Sequence, residues 1–304
     1  MPDPVIHIHG LRKSFGEIHA LNGLHMEVYP GDIYGFLGPN GSGKSTTLRI
    51  ITSLIKADAG TVNLFGMPVT KARKQILSRI GVLIERPDFY GHLTAHRNLS
   101  MMADYSKYNV GKAGIYEVLE MVGLKGREKD RVNTFSDGMK QRLGIAQAMI
   151  HKPELLILDE PFNSLDPQGV KDVRDLTIQL NKDFKVTIVI SSHQLDEIEK
   201  LANRLVVISK GKTITEGSMR TLLETSEAKV NLVVDNVNKA CEVINNKGLV
   251  IDRKDIKSGQ ITLTSPLSEI PSLNSLLVNQ GIQVYALKPD QSLESLFLNY
   301  TTEA

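Results

Sequence analysis

Nine consecutive residues, Gly38-Pro39-Asn40-Gly41-Ser42-Gly43-Lys44-Ser45-Thr46, constrain this chain more than any other stretch. The glycines let successive backbone N–H groups curl inward at dihedrals a Cβ resists, which makes a nest for phosphate oxygens. The closing Gly43-Lys44-Ser45 puts an ammonium within reach of β- and γ-phosphates and a hydroxyl within reach of Mg²⁺. The flanks agree. Ile33-Tyr34-Gly35-Phe36-Leu37 is a short apolar run that reads as a buried strand, and Thr46 to Ile51 begin a helix whose N-terminus adds its own field. Gly38, Asn40, Gly41, Ser42, Gly43, Lys44, Ser45 and Thr46 are therefore the expected phosphate-binding residues, with Ser45 a Mg²⁺ ligand.

Around that loop the pattern is mixed. Val5–Ile8, Leu11–Phe15 and Leu24–Val28 read as strands before it and Thr61–Phe65 as one after it, which points to an antiparallel section joined to the core. Ile80–Ile84 is a further strand, ended by Glu85 and Pro87. Apolar residues then recur at helix spacing over Thr94–Tyr105, Lys112–Val122 and Gly138–Ile150, the last preceded by the capping pair Ser136-Asp137. This block, about 86–150, reads as a helical subdomain inserted in the α/β core. Leu155–Leu158 is continuously apolar, as a doubly covered parallel strand must be. Asp166-Pro167 starts a helix, and Val186–Ile190, Gln194–Leu201 and Leu205–Ile208 continue the βαβ rhythm.

Near Glu216-Gly217 the chain becomes richer in Asn and other polar residues, dividing it into 1–217 and 218–304. Lys229–Val234, Leu249–Arg253, Gln260–Thr264 and Ile282–Leu287 read as strands, and Val237–Asn246 and Leu273–Asn279 as helices. That order is the split βαβ unit of ferredoxin-like type. A last amphipathic piece carries Leu293, Leu296 and Phe297 on one face. The fold class expected is α/β: a P-loop core with an antiparallel β subdomain and an inserted helical subdomain, plus a small α+β C-terminal domain.

A formal net charge of +2 is too small to argue for a nucleic-acid partner. The single cysteine, Cys241, excludes an internal disulfide and sits in an apolar-periodic segment, where a buried thiol is expected. The N-terminus lacks the basic and apolar regions of a signal peptide, and no apolar run is long enough to span a bilayer. A cytoplasmic protein is expected, its membrane association made through a partner.

Hydrolysis needs more than a P-loop. Asp159 and Glu160 follow the apolar run at the strand's C-terminal end, where α/β sheets place ligands. Asp159 is placed to hold Mg²⁺ and Glu160 to polarise an attacking water. His193, after Ser191-Ser192, is another polar group at that edge.

With those residues assembled, the chain resembles the nucleotide-binding subunit of ABC transporters. Ser136-Asp137-Gly138-Met139-Lys140-Gln141-Arg142 resembles that family's signature motif, and Leu156–Pro161 its Walker B strand and catalytic glutamate. Ser164-Leu165-Asp166 matches the D-loop, His193 the switch histidine, and Phe15 the aromatic that stacks on adenine. Two positions depart from the pattern: Asp137 replaces the first signature glycine, and Glu85 replaces the Q-loop glutamine. The stretch Leu83–Thr94 and the run Gly138–Arg142 look like the bacitracin and lantibiotic self-protection branch, which also carries a C-terminal extension.

The resemblance implies a head-to-tail homodimer, with ATP held between the P-loop of one copy and Ser136 and Gly138 of the other. It implies catalysis by Lys44, Glu160 and His193, Mg²⁺ on Ser45, Asp159 and Glu85, and a separate transmembrane permease at the cytoplasmic face. An exporter of a peptide antibiotic, lipid-like or other amphipathic compound is the expected context, with no nucleic-acid partner expected. The competing expectations are a soluble ATPase of the same type and a slow nucleotide-gated assembly switch.

Overall fold

What carries the P-loop is a six-stranded sheet of strand order β10-β9-β3-β8-β7-β6 in a computed structural model that describes residues 2–106, 110–225, 227–290, 293, 294 and 297. Elements are numbered in chain order. Its members are β3 (Ile33–Leu37), β6 (Ile80–Leu83), β7 (Leu155–Asp159), β8 (Thr187–Ser192), β9 (Arg204–Ser209) and β10 (Lys212–Ser218). Pairing is parallel from β9 through β3, β8 and β7 to β6. All residues of β3, β7 and β8 are buried, which explains the apolar runs Ile33–Leu37, Leu155–Leu158 and Ile188–Ile190: a strand covered on both faces has no solvent side to show. Each fully buried Leu or Ile here contributes about 1.5–3 kcal/mol.

A second sheet, order β2-β1-β4-β5, is antiparallel. It comprises β1 (Ile6–Phe15), β2 (Ile18–Val28), β4 (Ala59–Leu64) and β5 (Met67–Pro68). The two segments expected as separate strands before Phe15 are one strand, β1, whose register shifts between Ile8 and Leu11, where Gly10 takes φ 60°. Ile6, Ile8, Met26 and Val28 pack with Leu48 and Ile51 of α1 (Lys44–Ile51) and with Phe36 and Ile157 in one hydrophobic core.

The helical block contains α3 (Ala95–Tyr105), α4 (Gly111–Met121) and α5 (Asp137–Met149). Thr94 and Ser136 cap α3 and α5 by accepting from the backbone N–H groups of Arg97 and Met139. The short helix α2 (Arg73–Leu77), before β6, is not expected from the sequence, whereas α7 (Leu195–Glu199) is the expected Gln194–Leu201 helix in shortened form. α6 (Pro167–Phe184) starts at Asp166, whose carboxylate accepts from Gly169 N–H at 2.8 Å, with Pro167 in the first turn.

The chain divides into two compact units, Met1–Glu216 and Gly217–Ala304. In the second, α8 (Met219–Thr225) precedes β11 (Glu227–Val234), α9 (Val237–Asn246), β12 (Val250–Asp255), β13 (Gln260–Pro266), α10 (Ile270–Asn279) and β14 (Val284–Asp290). The sheet order is β12-β13-β11-β14 and every pairing is antiparallel. Its core is formed by Val230, Leu232, Ile261 and Leu263 against Val237, Ala240, Ile244, Leu273 and Leu277. Cys241 is a buried free thiol in that core. Of the last amphipathic piece, Leu296 lies outside the described residues, and Leu293 is buried. No helix among the described residues is long and apolar enough to cross a membrane.

Candidate nucleotide site

Parallel pairing brings three strand ends to one edge. Leu37 pairs with Ser192 and Asp159 with Ser191, so the P-loop, the Asp159-Glu160 pair and His193 leave the sheet side by side. The loop closes on α1 through Gly43, whose φ is 107°. A Cβ there would sit 2.7 Å from the Ala20 carbonyl oxygen, so the position needs glycine on both dihedral and steric grounds. Gly41 also has positive φ, 79°, where the loop reverses. A brace comes from the turn after β9: Gly211 N–H donates to the Ser42 carbonyl at 3.0 Å, and Asn22 N–H donates to the Gly211 carbonyl at 2.8 Å.

Lys44 is buried, and its ammonium donates to the Gly38 carbonyl at 2.7 Å and reaches Pro39 O at 3.4 Å. Glu160 Oε1 lies 3.8 Å from the same nitrogen, and Glu160 Oε2 accepts from His193 Nδ1 at 2.9 Å. One carboxylate thus spans the P-loop cation and the histidine. Burial lowers the Lys44 pKa, and the charges of Glu160 and Asp159 pull it back up. Glu160 has a left-handed backbone, φ 49°, and its N–H donates to Ser191 Oγ at 3.0 Å. Ser191 Oγ in turn donates to Asp159 Oδ1. Ser191 of β8 therefore fixes the Asp159 carboxylate and the backbone of Glu160.

A cleft of about 660 Å³ opens on this edge, walled by the loop from Asn40 to Thr46, by Glu160 and His193, and by the half-exposed Phe15 of the β1–β2 turn. Ile18, His19, Asn163 and Lys210 also line it, none of which the sequence singled out. Asn163 was within reach, three residues past Glu160. Lys210 carries no motif and arrives only because the β9–β10 turn packs beside the P-loop. Gly38 lies beneath the loop as the acceptor for Lys44, and Asp159 sits behind Glu160, 7% exposed. Glu85 is elsewhere: its side chain is 68% exposed and ion-paired to Arg49, outside the cleft lining. Ser136 and Gly138 stand at the start of α5, also away from this cleft, where Gly138 approaches Gly169 of α6. Asp137, beside them, is 3.5 Å from Lys140.

The residues suit a nucleotide with its cation. The buried Lys44 ammonium, held by the Gly38 carbonyl and facing Glu160, lines the cleft beside Ser45 and Thr46, and phosphate oxygens are the anionic partners such a cation takes. Hydroxyl and carboxylate oxygens such as those of Ser45 and Asp159 are the hard donors Mg²⁺ prefers. A strand–loop–helix phosphate nest with a buried lysine and paired strand-end acids defines a P-loop nucleotide hydrolase.

The comparisons with known proteins narrow that class. The family described as ABC transporter matches residues 21–163. The ABC transporter ATP-binding protein YdbJ of Bacillus subtilis is 39% identical over 303 residues, spanning 99% of this chain and 97% of its own. The bacitracin transport ATP-binding protein BcrA of Bacillus licheniformis is 42% identical over 289 residues, 95% of this chain and 94% of its own. Among solved structures, a dimeric ATP-binding cassette in a post-hydrolysis state with ADP and Pi matches with a TM-score of 0.61 at 25% identity. That match covers 71% of this chain and 99% of the other. The chain belongs to the ATP-binding proteins of ABC transporters. It is an ATPase subunit that supplies such a transporter with energy.

Proposed function

We propose that this subunit powers export of an amphipathic peptide antibiotic, protecting the cell that makes or meets it. The observation that carries this reading is the extent of the likeness to the bacitracin transport protein, which at 95% of the chain runs through the second unit as well as the ATPase core. The chain works at the cytoplasmic face of the membrane, held there by a separate permease. Two copies pair head to tail, because one copy offers a single P-loop and a single signature helix. Residues 1–217 form the ATPase and 218–304 an accessory domain.

In this reading Lys44 and the P-loop N–H groups bind the β- and γ-phosphates, and Phe15 stacks on the base. Ser45 and Asp159 hold Mg²⁺, with Glu85 as a further oxygen ligand, and the cation supplies charge neutralisation on the phosphates. Glu160 accepts a proton from the attacking water. His193, which the Glu160 carboxylate orients through Nδ1, presents its other nitrogen to the γ-phosphate. Ser136 and Gly138 of the second copy close the site.

The test is genetic. Deleting the gene from its host should raise sensitivity to a bacitracin-class peptide at least several-fold, and the wild-type gene, but not a Glu160→Gln copy, should restore resistance. Unchanged sensitivity across such peptides would remove the export reading.

The signature position gives a smaller test. Asp137 places a carboxylate where a phosphate chain must approach, partly neutralised by Lys140 at 3.5 Å. Asp137→Gly should give turnover equal to wild type or several-fold faster. The helix loses an acid from its first turn, at a cost of about 0.5–1 kcal/mol. Slower turnover with an unchanged fold would mean that Asp137 serves the site directly.

A further inference from the structure

Glu85 leaves β6 with φ 66°, a left-handed backbone at a residue with a Cβ. Because Leu83 pairs in parallel with Leu158, Glu85 emerges at the same sheet edge as Asp159 and Glu160. Its carboxylate nevertheless turns to α1, where Arg49 Nη2 donates to Oε1 at 2.5 Å. Arg49 stands four residues after Ser45 on one helix, so the two side chains share a face one turn apart, about 5–6 Å. The Glu85 carboxylate is thus paired to the same helix that carries the hydroxyl assigned to the cation.

We propose that Arg49 is a positioning residue that competes with the divalent cation for Glu85 and so sets the Mg²⁺ requirement of nucleotide binding. The proposal rests on the functional reading above, in which Glu85 is one of the cation's oxygen ligands. A guanidinium forms charge-assisted hydrogen bonds with a carboxylate and much weaker ones with a neutral amide. A glutamate here is therefore subject to Arg49, whereas a glutamine in its place would be nearly independent of it. The side chains are 43% and 68% exposed, so solvent screens the pair and limits the effect to a few-fold. The competition also touches the chain that follows, since Glu85 begins the connection through Pro87 and Tyr90 to the Thr94 cap of α3. Which partner Glu85 takes decides whether that connection is tied to the P-loop helix or to the nucleotide.

The experiment measures binding rather than turnover. The affinity of the full chain for a non-hydrolysable ATP analogue is determined by calorimetry across a Mg²⁺ series. The set is wild type, Arg49→Met, Glu85→Gln and the double variant. Arg49→Met should lower the half-saturating Mg²⁺ concentration by about three- to five-fold, because the freed carboxylate no longer divides its time with the guanidinium. In the Glu85→Gln background the same substitution should move it by less than about two-fold. An equal shift in both backgrounds would reduce Arg49 to a general repulsive charge and overturn the proposal. No shift in the Glu85 background would overturn it too. Analogue binding by wild type that ignores Mg²⁺, or no binding at all, would take the functional reading down along with it, which separates the two failures.

Discussion

Replacing Glu160 with Gln is expected to stop turnover, by about 10²–10³-fold, while ATP still binds. The amide occupies the same volume and still accepts from His193 Nδ1, so the 2.9 Å contact survives. What is lost is the negative charge, which faces Lys44 at 3.8 Å and, in the proposed role, takes the proton of water. Because the γ-phosphate is no longer removed, the two-copy assembly should persist in ATP and double the mass seen by light scattering. A variant that stays monomeric in ATP and hydrolyses at the wild-type rate would show that Glu160 does not orient the water. The same result would remove the head-to-tail pairing as the catalytic unit.

Lys44→Ala should act one step earlier. ATP affinity should fall at least tenfold and turnover by about 10²–10³-fold, since the only buried ammonium at the loop is removed from the β- and γ-phosphates. The fold should hold, because the loop keeps its Gly211 brace and the Gly38 and Pro39 carbonyls can turn to water in the open cleft. Calorimetry of ATP binding beside a thermal melt separates the cases. A melting temperature within about 4 °C of wild type with binding lost supports the assignment; wild-type binding at full stability would refute it.

How far the sequence could be read depended on whether a local rule or a distant contact decides. β7 was legible because burial on both faces forces an apolar run. The starts of α5 and α6 were legible because Ser136 and Asp166 cap with their own side chains. α9 begins and ends where its periodicity does, at Val237 and Asn246. β10 was not legible. Its residues are half-exposed with no alternation, and it is held by contacts to a strand far back in the chain: His25 with Thr213, and Glu27 N–H with Glu216 at 2.7 Å. α2 is too short for a helical period to register.

The nucleotide cleft follows the same division. The loop, Asp159, Glu160 and His193 carry motif spacing and lie at one edge. Lys210 and Ile18 enter from turns whose neighbours are set by packing. For Glu85 the spacing marks the right strand end, yet the side chain's direction is settled by Arg49, 36 residues away. Sequence position says where a group emerges, and charge on a neighbouring element says which way it faces.

The placement of β3 has a consequence for synthesis. Its two sheet neighbours are β8 and β9, so a strand made at residues 33–37 has no partner until residues 187–209 have been made. The brace on the P-loop comes later still, from Gly211. A ribosome making this chain N-terminus first therefore exports the phosphate-binding sequence early and the means of shaping it about 170 residues later. An incomplete chain is therefore expected to hold ATP weakly until the strands through Gly211 are in place. Nucleotide binding is in this sense a certificate of completed translation through the first unit, issued by the last strands rather than by the loop that bears the motif.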